Sequence, residues 1–244
     1  MILELEDFTP PELRPKGRAL AASAFRLWRN AGALAAVRVN PLETCGRDDL
    51  AAVLPCKPDL VLMSKVASPA QVLALERATR GRFELVPNVE SAAGLIQAHA
   101  IAKASRRVSA MLVASEDMVA DLGTSRTRGG AELAYVRERF LVECRAAGVE
   151  AIDCPYTFSD AKGAAAEARH ARSLGYRMKS LVHPAHARAV NAALTPTGAQ
   201  LRKARRVVRA FESARAAGRD RASVDGALIE VPIYAAARRL LSTG

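Results

Sequence analysis

Carboxylates and cations stand directly behind several short apolar runs of this chain. Glu6 and Asp7 follow Ile2-Leu3-Glu4-Leu5, Glu90 follows Leu85-Val86-Pro87-Asn88-Val89, and Glu116-Asp117 follow a run that ends at Val113. Glu90 and Asp117 lie 27 residues apart at the ends of successive runs, so both could face one cleft. Two such carboxylates suit a hard divalent cation, which takes oxygen ligands and leaves positions for water and substrate. They equally suit two surface acids stabilised by helix N-termini. Arg38 stands between Val37 and Val39, and a cation on a buried strand needs a counter-anion, which Glu6 or Asp7 could supply. Lys65, Asp153, Lys179 and His183 occupy comparable places; ion pairing would explain the lysines and a structural hydrogen bond the histidine. Asp225, beside Gly226, fits an ordinary turn.

Groups placed this way need elements that end together. Strands are expected over Ile2–Leu5, Ala36–Val39, Leu60–Met63, Leu85–Val89, Val108–Val113, Glu150–Ile152 and Ser180–Val182. Helix-forming segments lie between them at Arg18–Asn30, Pro69–Thr79, Gly94–Ala104, Ala131–Ala147 and Lys162–Leu174. Strand alternating with helix implies βαβ units and a parallel sheet. In a (β/α)8 barrel the C-terminal strand ends form the mouth where active sites are built. A doubly wound sheet would use a crevice instead, but no GxGxxG follows the first strand, so the TIM-barrel reading is preferred. The barrel is assigned to residues 1–196 and a C-terminal helical segment to 197–244. Within that segment a helix over Gly198–Ala217 carries Leu201, Ala204, Val207, Val208 and Phe211 on one face. Arg202, Arg205, Arg206 and Arg209 fall on the other; a solvated face explains them, as would contact with phosphate. A last helix is expected near Pro232–Leu241.

Composition removes several function classes. No apolar run reaches the roughly 20 residues of a membrane span. Acids at the N-terminus stand where a signal peptide needs a basic flank, so the expected location is the cytoplasm. Cys45, Cys56, Cys144 and Cys154 form no CxxC pair and have no histidine at zinc spacing, which reads as buried free thiols. The net charge of +11 invites a nucleic-acid partner, but +6 of it lies in residues 197–244, and aromatic residues, at 5%, are too few for a base-stacking platform. An anionic small substrate explains the charge as well.

The ordered motifs resemble the citrate lyase β-subunit-like branch of the HpcH/HpaI aldolase family, magnesium-dependent TIM-barrel lyases acting on acyl-CoA thioesters and 2-oxo acids. Ile2-Leu3-Glu4-Leu5-Glu6-Asp7 resembles the family's ILDLED strand, and Val37-Arg38-Val39-Asn40-Pro41 resembles RINP. Leu62-Met63-Ser64-Lys65-Val66 is similar to the LPK segment and Asn88-Val89-Glu90-Ser91 to IET. Glu116-Asp117 with Asp121-Leu122-Gly123 resembles EDLAADLG, Lys179 to Pro184 resembles KxxIHP, and Val224-Asp225-Gly226 the VDG element. Each piece is short, but seven in order span nearly the whole chain.

The resemblance implies a function and a site. Glu90 and Asp117 would bind Mg2+ and, through it, a 2-oxo acid, and Arg38 would face the substrate and stabilise enolate charge. Asp225, from a neighbouring subunit of a trimer or hexamer, would act as acid/base. Glu6 and Asp7 would orient Arg38 or metal-bound water. The expected activity is cleavage of a 3-hydroxyacyl-CoA thioester of the citryl-CoA or malyl-CoA type to an acyl-CoA and a 2-oxo acid. The alternatives are a CoA-independent 2-oxo acid aldolase and a degenerate, non-catalytic family member acting as a subunit.

The match also has departures. The family begins with a further strand and helix that have no counterpart here; either the start of this sequence is late, or a seven-stranded barrel with an open seam is expected. Ser64 replaces a proline, Ala114-Ser115 a glycine-containing segment, and Glu4 and Glu230 common aspartates.

Overall fold

A computed structural model describes residues 1–242. Seven short strands, β1 (Ile2–Glu4), β2 (Ala36–Val39), β3 (Leu60–Met63), β4 (Glu84–Val89), β5 (Ala110–Val113), β6 (Glu150–Asp153) and β7 (Met178–Lys179), form one parallel sheet in sequence order. An order that never reverses has no switch point, which separates this sheet from the doubly wound class. Helices α1 (Arg14–Ala19) and α2 (Ala21–Asn30) connect β1 to β2, α3 (Gly46–Val53) follows β2, and α4 (Pro69–Ala78) follows β3. Then come α5 (Ala92–Ile96), α6 (Ala98–Lys103), α7 (Glu116–Asp121), α8 (Ala134–Ala147) and α9 (Ala161–Leu174).

Register and the two-residue period of a strand decide which side chains face inward. Ile2 pairs with Ala36, which pairs with Leu60; Glu4 pairs with Arg38, Arg38 with Leu62, and Leu62 with Val86. Ala36, Leu62, Val86, Ala110 and Leu112 accordingly pack as one inner cluster with Leu60 and Ile152. The alternate residues Val37, Val39, Val61, Met63, Leu85, Val89, Met111 and Val113 join Phe25, Leu75, Ile101 and Phe140 in the core between sheet and helices. Strands buried on both faces read as near-continuous apolar runs, which makes β2 to β5 recognisable in the sequence. Among the described residues β1 pairs only with β2 and β7 only with β6, so the sheet curls as a seven-stranded arc of barrel type.

The seventh strand differs from expectation. It lies at Met178–Lys179, not Ser180–Val182. Its partner β6 runs into Cys154-Pro155, and proline has no N–H for the ladder; Ser180 makes one last bond, to the Asp153 carbonyl at 2.9 Å, before the chain leaves the sheet. Helices α3 and α7 lie outside the expected helical segments. Both open with acids, Asp48-Asp49 and Glu116-Asp117, which favour a helix N-terminus but look like loop in a short segment.

The chain divides into two compact units, Met1–Ala187 and Arg188–Gly244. The sequence division at 196/197 falls inside the second, between α10 (Ala187–Leu194) and α11 (Gly198–Ala216). In that unit α11 buries Ala204, Val207, Phe211 and Ala214 against Ala222, Ile229 and Ala237, and Phe211 stacks on Tyr234 with centroids 4.5 Å apart. Strands β8 (Ala222–Val224) and β9 (Ala227–Ile229) form an antiparallel hairpin, and α12 (Val231–Ser242) closes the unit. Arg202, Arg205 and Arg209 are exposed on α11. No described helix is long and apolar enough to cross a membrane.

Candidate active site at the mouth of the first unit

Above the apolar inner layer the inward positions turn polar. Glu6, Asn40, Ser64, Asn88, Glu90 and Ser115 are all buried at or just past the C-terminal ends of their strands. Arg38 is the centre of this group. Its Nε donates to Glu4 Oε2 at 2.5 Å, and its terminal nitrogens lie 3.5 Å from Glu6 Oε2 and 3.6 Å from Glu90 Oε1. Burial works against the Arg38 charge, but the three carboxylates outweigh it and hold the guanidinium protonated. Lys65 Nζ adds a second cation, 2.8 Å from Glu6 Oε1 and 3.3 Å from Asp7 Oδ1.

Glu90 carries the strongest perturbation among these carboxylates. Burial, followed by the charge of Asp117, pushes its carboxyl up to about 8, with Arg38 offsetting only part. That coupling places Asp117, half-buried in the first turn of α7, close enough to act electrically on Glu90. Asn88, two residues earlier on the same face of β4, donates from Nδ2 to Glu90 Oε1. Glu90 Oε2, Glu6 Oε2, Asn88 Oδ1 and Ser115 Oγ are buried without a hydrogen-bond partner. Buried polar oxygens without a partner are costly and call for an explanation. Three of these are carboxylate or amide oxygens, the donor type that a hard divalent ion takes.

Local structure fixes the two carboxylate-bearing segments against each other. Ser91 caps α5, its Oγ accepting from Gly94 N at 3.2 Å, so β4 ends and turns just after Glu90. The next amide, Ala92 N, donates to Asp121 Oδ2 at 2.7 Å, which ties this turn to the helix that carries Asp117. Asn40 does the same for Arg38. Its Nδ2 donates to Leu5 O at 2.6 Å and to Asp49 Oδ2 at 2.8 Å, and Asp49 in turn accepts from Arg18 Nε at 2.9 Å. Gly46 is needed for that seat, since a Cβ there would come within 2.1 Å of Asn40 O.

The first unit thus brings together Arg38, Glu90 and Asp117 with Glu6, Asp7 and Lys65. Asp225 belongs to the second unit, on the two-residue turn of its hairpin, exposed and 2.6 Å from Arg206. Asp225 and Gly226 have φ of +50° and +77°, the pair of positive values that a type I′ turn requires. His183 is structural in its contacts, its Nε2 lying 3.1 Å from Thr157 O. Asp153 and Lys179 are not at the mouth. Their parity is the outward one, and they form a buried network with Arg137 and Glu167 beneath the helices. Asp153, Cys154 and Glu167 also offer ligand atoms within 4.8 Å of one another. Lys179 Nζ, 2.7 Å from both carboxylates, already supplies the cation there, and burial pushes the Cys154 thiol up to about 12. All four cysteines are free. Glu4, Asn88 and Asp49 join the site without having been proposed as site residues; Asn88 is a polar residue on a strand whose register partner, Leu112, is apolar, whereas Asp49 sits in the first turn of α3 beside Asp48.

The chain has counterparts among known proteins. The sequence is 31% identical over 255 residues to the β subunit of citrate lyase from Haemophilus influenzae, covering 99% of this chain and 87% of that one. It is 32% identical over 251 residues to a (3S)-malyl-CoA thioesterase from Cereibacter sphaeroides, covering 99% and 85%. Among solved structures, CitE of Mycobacterium tuberculosis in complex with magnesium, acetoacetate and coenzyme A superposes with a TM-score of 0.80 at 28% identity, over 99% of this chain and 88% of that one. The profile of the HpcH/HpaI aldolase/citrate lyase family matches residues 1–184, a span that holds every strand of the parallel sheet and the whole cluster around Arg38. With a matching fold, a matching sequence and a carboxylate-lined mouth in the same span, the chain belongs to the HpcH/HpaI aldolase/citrate lyase family.

Proposed function

We propose that the protein is a Mg2+-dependent carbon–carbon lyase that cleaves a 3-hydroxyacyl-CoA thioester, of the citryl-CoA or malyl-CoA type, to an acyl-CoA and a 2-oxo acid. One observation carries the reading: a guanidinium fixed by three carboxylates beside a buried, unpartnered carboxylate oxygen of Glu90. Glu90 and Asp117 would hold the metal, consistent with the oxygen donors left unsatisfied there. Bound there, Mg2+ would polarise the carbonyl of the oxo acid and offset its carboxylate charge. Arg38 would meet the negative charge that develops on the enolate oxygen as the C–C bond breaks, from a position that Glu4 and Glu6 fix in advance. Glu6 and Asp7 hold Lys65 over the same mouth. The proton transfer is assigned to Asp225 of a neighbouring copy in a homo-oligomer, and the CoA phosphates to the basic residues of 197–244.

The roles of Arg38 and Asp225 can each be tested by one substitution. Arg38→Lys keeps the charge but cannot span three carboxylates with one planar fork. It should lower kcat about a hundredfold, in line with the loss of one oxyanion donor, with little change in Mg2+ affinity by calorimetry. A wild-type kcat would remove Arg38 from the reaction. Asp225→Asn should lower kcat by about 10²–10⁴, the usual worth of a general acid or base. Mg2+ and oxo-acid binding should stay intact, whereas unchanged turnover would return Asp225 to the status of a turn residue.

A second reading, hydrolysis of the thioester, is favoured by the likeness to the malyl-CoA thioesterase. Mass analysis of products from citryl-CoA and malyl-CoA separates the two. An acyl-CoA with a 2-oxo acid supports cleavage, free CoA with the intact hydroxy acid supports hydrolysis, and turnover only of CoA-free substrates supports the aldolase alternative.

A further inference from the structure

Lys65 is held in a left-handed backbone conformation, φ +55°, two residues past the end of β3. Among the described residues only three other non-glycine residues have positive φ, and Lys57, Arg80 and Asp225 all sit at turns or helix ends. Lys65 is different because its neighbours are fixed to the sheet: Ser64 N donates to Val39 O at 3.2 Å and Val66 N to Asn88 O at 3.0 Å. Strain of this kind persists only where the surroundings over-determine it, and such residues gather at functional sites.

The side chain so placed is anchored on one side and open on the other. Glu6, 2% exposed, grips Nζ from below at 2.8 Å. Asp7 touches it at 3.3 Å from the solvent side, and the side chains of Lys65 and Asp7 are both nearly half exposed. An ammonium has three donors, and a solvent-exposed pair of this type contributes little, so the Asp7 contact is one that a ligand anion can replace. Arg38, set among Glu4, Glu6 and Glu90, is the cation already given to the developing enolate oxygen, which leaves Lys65 as the other cation of the mouth. Around the mouth, five carboxylates (Glu4, Glu6, Asp7, Glu90 and Asp117) stand against two cations. A substrate anion beyond the one that a metal can bind therefore needs Lys65.

We propose that Lys65 is a specificity-determining residue that pairs with a second carboxylate of the substrate, so that the site selects 2-oxo acids with two carboxylates over those with one. This rests on the reading of the mouth as a Mg2+ and 2-oxo acid site. The pairing takes the place of the Lys65–Asp7 contact and leaves Lys65–Glu6 in place.

The test is calorimetric binding of oxaloacetate and of pyruvate, each with Mg2+, to the wild type, Lys65→Gly and Lys65→Arg. Glycine accepts the backbone conformation without strain, so Lys65→Gly should fold. The wild type should bind oxaloacetate at least tenfold more tightly than pyruvate. Lys65→Gly should weaken oxaloacetate about tenfold and leave pyruvate within twofold, and Lys65→Arg should retain most of the preference. Equal weakening of both acids by Lys65→Gly, or of neither, overturns the assignment while leaving the oxo-acid site standing. Failure of both acids to bind the wild type overturns the site itself, and this assignment with it.

Discussion

Glu90→Gln should lower turnover about a thousandfold or more while making the metal-free protein more stable at alkaline pH. The loss follows from removing the charge that would hold Mg2+, which supplies several kcal/mol of transition-state stabilisation at roughly 1.4 kcal/mol per decade of rate. The gain follows from the position of the Glu90 proton. Its carboxyl titrates near 8 in the folded chain because burial and Asp117 oppose the charge, against an ordinary value of 4.5. Between those values the folded state binds more protons than the unfolded one, so stability falls as pH rises through that window and levels off above about 8. A glutamine amide has no such proton to lose, so the variant should lack this slope, gaining on the order of 2–4 kcal/mol at pH 9 relative to wild type. Denaturant unfolding of both proteins in EDTA at pH 5, 7 and 9 checks the sign. Parallel pH profiles would mean that Glu90 is ionised without difficulty, contrary to its surroundings.

Asp153→Ala is the second large effect, and it concerns folding. Asp153 is fully buried and accepts from Arg137 Nε and Nη2 at 2.8 Å each and from Lys179 Nζ at 2.7 Å. Burial pushes its carboxyl up, but Lys179 and then Arg137 outweigh this and hold it below the ordinary range. Removing it leaves two buried cations with only Glu167, on α9, opposite Lys179. Breaking a buried pair in this way costs about 3–5 kcal/mol, a large fraction of a domain's stability. The urea midpoint should fall accordingly. Asp153→Ala combined with Lys179→Met should recover part of the loss, because the second substitution removes a stranded charge. A midpoint within experimental scatter of wild type would contradict the account of this network.

Asp153 also shows how far the sequence can be read. Its position after an apolar run suggests the mouth, as for Glu90, but a strand alternates its faces and one residue decides the side. Ile152 packs on the inner cluster, so Asp153 faces the helices, whereas Val89 faces the helices and Glu90 turns inward. Strands β2 to β5 are legible because burial on both faces writes them as near-continuous apolar runs, whereas the two-residue β7 lies just before its expected place. The cluster around Arg38 is legible in part. Glu90, Asp117 and Arg38 stand in ordered motifs, but Glu4 shows in the sequence only as a replaced aspartate, although its register with Arg38 makes it the shortest partner. The hairpin is available in principle, since Asp225-Gly226 is a strong two-residue turn signal, but its strands are only three residues long and too short to register as a pattern. Two features lie beyond the sequence altogether. The Asn40–Asp49–Arg18 link depends on where α3 docks, and the left-handed Lys65 depends on ladder bonds from two neighbouring strands.

The central claim is that the mouth holding Arg38, Glu90 and Asp117 performs metal-dependent C–C cleavage. The most direct measurement is a mass-resolved assay of wild type and Glu90→Gln with citryl-CoA, malyl-CoA and methylmalyl-CoA, in Mg2+ and in EDTA. The account predicts release of an acyl-CoA and a 2-oxo acid from at least one substrate by the wild type in Mg2+, and none in EDTA or from Glu90→Gln. Equal turnover in EDTA, or by Glu90→Gln, would contradict it.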